Sequence, residues 1–159
     1  MELRPYRPSD AQATLKVFLR AIRLTASRDY TPEQIAAWAD EDIDVGQWHA
    51  ARDAATTQVA CDGEHVLGFT DVDARGYIDM MFTDPAYARR GVATALLEWA
   101  ARTAASHGAP ELTAHASLTA RPFFEAHGFT VLAEQHPVRL GVELRNFVMH
   151  RPLRPPRAE

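Results

Sequence analysis

The apolar residues of this chain change period twice, and that alternation limits the folds open to it. From Asp10 to about Ser27 they recur at helical spacing, with Ala13, Val17, Phe18, Ala21, Ile22 and Leu24 on one face and Asp10 as the candidate cap. Thr31-Pro32-Glu33-Gln34 announces a second helix: a capping hydroxyl, a proline at the first helical position and a reciprocal Gln. That helix carries Ile35 and Trp38 and stops before Asp40-Glu41-Asp42, while Val45–Ala55 is ambiguous and admits another short turn of helix. Then the period changes. Thr57–Cys61, Val66–Val72 and Tyr77–Thr83 read as three strands joined at Asp62-Gly63-Glu64 and Arg75-Gly76, an antiparallel meander stopped by Asp84-Pro85. From Gly91 to about His107 the helical period returns, with Val92, Leu96, Leu97, Ala100, Ala101 and Ala104 on one face and Gly108 as the stop.

Glu2–Tyr6 is a first strand, Leu112–Ala116 a later one, Arg121–His127 a helix, and Phe129–Ala133 and Glu143–Met149 the closing strands. The order β-α-α-β-β-β-α-β-α-β-β predicts one mixed α/β (α+β) domain over residues 1–150. Residues 151–159, rich in Pro and Arg, hold too few apolar side chains to pack and read as a frayed tail. The 159 residues suit a single core without staples. With 17 Lys+Arg against 21 Asp+Glu, the net charge of −4 argues against nucleic acid as a partner. No apolar run reaches the ~18 residues of a membrane span, and Met1-Glu2-Leu3-Arg4 does not open a signal peptide. Neither a membrane partner nor export is expected, so the expected location is cytoplasmic. The single Cys61 excludes an intramolecular disulfide and a multi-cysteine metal site. It reads as a buried strand residue. His65, His107, His127 and His136 show no ligand spacing, and no metal is expected.

The chemistry is concentrated in Ile78–Thr94. A strand ends at Pro85, two arginines follow, and a small-residue turn opens the long helix. The first N–H groups of a helix lack internal partners and carry a partial positive charge, which makes that end a phosphate site. Gly91 and Ala93 permit close approach of an anion, Val92 offers its N–H, Thr94 offers a hydroxyl, and Arg89 and Arg90 offer charge for a second phosphate. No Gly-x-x-x-x-Gly-Lys-Ser/Thr loop and no Gly-x-Gly-x-x-Gly after an early strand occurs, so nucleotide-triphosphate and dinucleotide folds find no support. A pyrophosphate held at a helix N-terminus midway along a mixed sheet remains.

Two blocks carry a resemblance. Asp84-Pro85-Ala86-Tyr87-Ala88-Arg89-Arg90-Gly91-Val92-Ala93 resembles the coenzyme A pyrophosphate motif of the GNAT N-acetyltransferase superfamily, Gln/Arg-x-x-Gly-x-Gly/Ala after a strand and a proline. Ser117-Leu118-Thr119-Ala120-Arg121-Pro122-Phe123-Phe124-Glu125-Ala126-His127-Gly128-Phe129 is similar to the family's second block, an Asn, an Ala and then Tyr-x-x-x-Gly-Phe. The resemblance implies a mostly antiparallel central sheet flanked by helices, with two strands splayed at the cofactor site, and acetyl-coenzyme A as cosubstrate. It implies transfer to an amine by direct attack; the alternative is a non-catalytic acyl-coenzyme A-binding or regulatory module. Met81, Phe82 and Thr83 then hold the pantetheine arm, with the Phe82 N–H as oxyanion donor. Asp79 is the candidate base, and His115 on the neighbouring strand its rival. Two departures stand out: Ala88 occupies the Gln/Arg position, and Phe124 occupies that of the tyrosine general acid. Phe124 stays a cofactor contact, and Ser117, at the usual Asn position, becomes the candidate acid or polar contact. The acceptor is a small-molecule or peptide amine, with Arg23, Ser27, Tyr30 and His115 as candidate contacts. The resemblance also admits a homodimer.

Overall fold

Two four-stranded sheets carry the chain, and the segment from Tyr77 to Thr83 belongs to both. The computed structural model describes residues 1–154. The first sheet runs β1 (Glu2–Pro5), β2 (Thr57–Asp62), β3 (His65–Asp71), β5 (Met81–Thr83), antiparallel throughout. The second runs β4 (Tyr77–Ile78), β6 (Glu111–Ser117), β10 (Asn146–Pro152), β7 (Thr130–Gln135), with β4 and β6 its parallel pair. A small hairpin, β8 (Val138–Arg139) and β9 (Val142–Glu143), lies outside both.

The third meander strand is therefore not continuous. It breaks at Asp79-Met80, because Asp71 Oδ1 accepts from the Asp79 N–H at 2.8 Å and the Met80 N–H at 3.2 Å. The Met80 carbonyl accepts from the Asp71 N–H at 3.1 Å and the Thr70 hydroxyl at 2.7 Å. A chain so gathered bulges and changes partners. The last strand also departs from expectation. It starts after Leu144-Arg145 and runs through Arg151 and Pro152, with the Leu153 N–H donating to Pro110 O at 2.9 Å. Pairing with β6 orders this stretch although its composition is polar. The rest of the expected tail, residues 155–159, lies outside the described residues.

Helix α1 (Ala11–Arg20) continues through a widened π turn, Ala21–Thr25, into a 3-10 turn, Ala26–Arg28. Asp10 does not cap it. Its carboxylate is taken by the Arg4 guanidinium at 2.7 and 2.8 Å and by the Arg7 N–H at 2.8 Å. The capping box at Thr31 closes as expected and opens α2 (Pro32–Trp38). The ambiguous stretch forms α3 (Val45–Ala54), capped by Asp44 through the Gln47 N–H at 2.9 Å. The long helix is α4 (Val92–Ser106), and the short one α5 (Arg121–Ala126).

Both faces of the first sheet are covered, so its strands need apolar residues at successive positions. Phe18, Ile22 and Trp48 from the N-terminal helical layer bury Val59, Cys61 and Phe69 on one face. On the other, Val92 and Leu96 of α4 bury Ala60 and Leu67. Helices α4 and α5 also cover the second sheet, packing Leu97, Ala100 and Phe124 with Leu112, Ala114, Phe147 and Met149. Each fully buried Leu or Phe in these layers contributes on the order of 1.5–3 kcal/mol. The stripe read from the sequence of α4 is the buried face, with Ala101 half-buried at its edge.

Candidate active site

Pairing between β4 and β6 ends at Ile78–Ala114. Beyond it Met81–Thr83 follows β3 and His115–Ser117 follows β10, so two neighbouring strands part. A mainly apolar cavity of about 300 Å³ opens there, lined by Asp79, Met81, Phe82 and Thr83 on one wall and by Ala114–Ser117 on the other. Ala93 and Phe123–Phe124 line it from the side of α4 and α5, and Ala21, Ile22, Thr25, Ala26 and Trp38 from the N-terminal layer. The splay expected at the cofactor position is this gap.

The ladder decides which backbone groups face it. Asp71 N–H donates to Met80 O, and Asp84 N–H donates to Leu67 O at 2.8 Å. Antiparallel pairs alternate, so the intervening Phe69–Phe82 pair is also hydrogen-bonded, and Met81 and Thr83 turn their N–H and C=O groups away from β3. Phe82 is thus not the oxyanion donor. Its N–H is directed to Phe69, and its ring packs edge-on against Phe18 with centroids 4.9 Å apart. Met81 and Thr83 are the residues of this strand whose N–H groups are free to face the cavity.

The turn before α4 has the expected form. Gly91 is the N-cap at φ 80° and provides no side-chain cap, so the first-turn N–H groups are left for an external acceptor. Arg89 also lies in the left-handed region, at φ 62°, an unfavourable conformation for an arginine that bends the loop back on itself. Arg89 and Arg90 are exposed, and Arg90 stacks on Tyr87 with 5.5 Å to the ring centroid. Thr94 differs from expectation. Its hydroxyl lies 3.2 Å from His127 Nε2, and His127 Nδ1 lies 2.8 Å from Phe123 O. A carbonyl only accepts, so His127 carries its proton on Nδ1, and in the neutral ring the Thr94 hydroxyl donates to Nε2.

Asp79 and His115 both line the cavity and both are exposed. The Asp79 carboxylate lies 4.0 Å from Arg52 Nη2, and the His115 ring meets Tyr77 edge-on with centroids 5.4 Å apart. Ser117 lines the same cavity, and its Oγ accepts from the Ala120 N–H at 3.0 Å. Phe124 is buried against Phe123 and Phe129. Arg23, Ser27 and Tyr30 do not join this group. They line a separate concavity with Asp40–Asp42, while Ile22, Thr25 and Ala26 of the same irregular turn face the main cavity. Arg23 Nη2 donates to Ala39 O at 3.1 Å. The Tyr30 hydroxyl donates to Arg145 O and accepts from the Leu118 N–H at 2.9 Å, and burial pushes its pKa up.

Sequence reasoning missed Asp71, Arg52, Trp38 and His127. Trp38, on the short helix α2, is half-buried and lines the cavity. Asp71 and Arg52 are buried side by side, with Arg52 Nη1 3.9 Å from Asp71 Oδ2 and the guanidinium 4.8 Å above the Trp48 ring. Burial pushes the Asp71 carboxyl up, against the pull of its two backbone donors. The one signal available was Asp71 inside the strand Val66–Val72; Arg52, followed by Asp53, carries no such mark. Among the described residues, no group of three or more His, Cys, Asp or Glu is arranged to hold a metal ion, and no helix is long and apolar enough to cross a membrane.

The sheet is opened at one parallel pair, beside a helix N-terminus without a side-chain cap, and the chain belongs to the acetyltransferase (GNAT) domain family, which it matches over residues 26–150. It is by family an acyltransferase. It is 40% identical over 149 residues to the uncharacterized N-acetyltransferase YafP of Escherichia coli K12, a match spanning 94% of each chain. A GCN5-related N-acetyltransferase from Rhodopseudomonas palustris superposes with a TM-score of 0.92 at 32% identity, over 96% of this chain and 95% of that one. The structure of yncA, a putative acetyltransferase from Salmonella typhimurium with its cofactor acetyl-CoA, shares the fold at 21% identity with a TM-score of 0.72, over 100% of this chain and 97% of that one.

Proposed function

We propose that this protein moves an acetyl group from acetyl-coenzyme A to an amine by direct transfer in a ternary complex. The observation that carries this reading is the parted strand pair, with Met81 and Thr83 presenting free backbone groups to an apolar cavity beside the uncapped end of α4. An extended amide-bearing arm pairs with such a strand edge as another strand would. The α4 amides and the exposed Arg89 and Arg90 suit its pyrophosphate.

In the transfer, the neutral amine attacks the thioester carbon. The C–N bond forms, the C–S bond breaks, and the electron pair leaves on sulfur. Negative charge on the carbonyl oxygen during attack is met by the Met81 N–H. The amine proton passes to Asp79, directly or through water, with His115 as the second group at the same wall. Phe124 has no proton to give, so the thiolate leaves as the anion or is protonated by Ser117 or water. The acceptor is a small-molecule or peptide amine, and the net charge of −4 favours a cationic one.

Acetyl-coenzyme A at 100 times its dissociation constant stabilises a protein that binds it by about 2.7 kcal/mol. A melting temperature unmoved by saturating acetyl-coenzyme A refutes the donor. Free thiol released in the presence of a member of an amine panel supports catalysis. Binding without thiol release favours the second reading, a non-catalytic acyl-coenzyme A-binding module, which the buried Phe124 at the family's tyrosine position motivates.

A further inference from the structure

The bulge at Asp79-Met80 is built by a side chain. In a regular ladder successive N–H groups point to opposite sides of the strand, so one neighbour cannot collect both. Asp71 Oδ1 collects the Asp79 and Met80 N–H groups at 2.8 and 3.2 Å, while its own N–H holds the Met80 carbonyl at 3.1 Å. On one side of this knot Ile78 pairs with Ala114 of β6; on the other Met81 pairs with Thr70 of β3. The carboxylate therefore sits where the strand changes sheets, one residue before the group that faces the cavity.

Stability alone explains this arrangement poorly. Asp71 is 3% exposed, its Oδ2 has no hydrogen-bond partner among the described residues, and its cation, Arg52, lies 3.9 Å away. A buried ion pair with such loose geometry is a poor source of stability. Its two short backbone contacts all serve the bulge.

We propose that Asp71 is a positioning residue for acetyl transfer: its carboxylate gathers the Asp79 and Met80 N–H groups and so aims the Met81 N–H at the thioester carbonyl oxygen. This inference rests on the acetyl-transfer reading above. Arg52 lies 3.9 Å from the buried carboxylate and 4.0 Å from that of Asp79, which ties the bulge to the candidate base.

The test uses the full chain and acetyl-coenzyme A labelled with carbon-13 at the thioester carbonyl, whose stretching frequency falls when an N–H polarises it. Wild type is expected to lower that frequency on binding. Asp71→Ala is expected to lose at least half of the shift and about 10²-fold in transfer rate, as loss of one oxyanion donor does. Its affinity for coenzyme A without the acetyl group should change less than threefold. Asp71→Asn keeps an acceptor oxygen and is expected to keep the shift, although both variants melt earlier because Arg52 loses its counter-charge. Should Asp71→Ala fail to fold, the Ala and Asn variants are compared in an Arg52→Leu background. An undiminished shift in Asp71→Ala overturns the proposal, and so does equal loss in Ala and Asn. A wild-type protein that does not bind acetyl-coenzyme A overturns the acetyl-transfer reading and this inference with it; binding with a shift indifferent to Asp71 overturns the inference alone.

Discussion

Gly91 and Gly108 offer a matched pair of perturbations at the two ends of α4. Gly91 has φ 80° and Gly108 φ 78°, and a Cβ added at either meets no atom within 4 Å. An alanine at either position therefore pays only for the left-handed backbone, about 1–2 kcal/mol. For a domain of 159 residues that lowers the melting temperature by about 3–6 °C in both variants. Their response to acetyl-coenzyme A should differ. Alanine at 91 relieves its strain by swinging φ negative, which turns the first-turn amides of α4 away from a bound pyrophosphate. A tenfold loss of affinity cuts the stabilisation at the wild-type 100-Kd concentration from about 2.7 to about 1.4 kcal/mol. The thermal upshift in Gly91→Ala should therefore fall to about half, while Gly108→Ala keeps all of it. Thermal denaturation with and without acetyl-coenzyme A reads both quantities. Equal upshifts in wild type and both variants would refute the assignment of the pyrophosphate to this turn.

Asp79→Asn should lower the transfer rate by about 10²-fold and leave the acetyl-coenzyme A upshift intact; unchanged turnover in a thiol-release assay dismisses Asp79 as base. Gly76→Ala should be far more damaging than Gly91→Ala. Gly76 has φ +90°, and its Cβ would lie 2.0 Å from Glu111 O, so β4 must leave β6; at least about 3 kcal/mol is lost in urea titration, and a loss below about 1 kcal/mol contradicts the close approach. Asp10 makes stability fall in acid. Burial alone would raise its pKa, but the Arg4 guanidinium and the Arg7 N–H outweigh it and hold the group below its ordinary 3.8. A depressed pKa stabilises above the unfolded value and is lost as pH falls through the folded one, so the loss falls below about pH 4. Asp10→Asn should be less stable at neutral pH and show a flatter acid limb in denaturant titrations at pH 2–4, and an unchanged limb would refute the pairing.

Much of the scaffold is local and therefore legible. The capping box of α2 joins residues three apart, the stripe of α4 repeats every three or four, and the turn at Arg89–Gly91 that opens α4 is a short contiguous run. The same holds for the resemblance, whose two blocks are contiguous runs. The site is less so, because its parts meet across long separations. Tyr30 sits 88 residues from Leu118 and 115 from Arg145, and its hydroxyl belongs to them rather than to an acceptor. Thr94 and His127 are 33 residues apart, yet one hydrogen bond decides where the Thr94 proton points.

The sequence by itself determined a mixed α/β fold, the alternation of its main helices and strands, and the turn at Gly91 that opens α4. Only the tertiary structure decided that Tyr77–Thr83 splits between two sheets and that the N–H of Met81, not that of Phe82, is turned away from β3. Period-two alternation states which residues share a face. It does not state which neighbouring strand takes each backbone hydrogen bond, and here that choice falls to a carboxylate reaching across from β3.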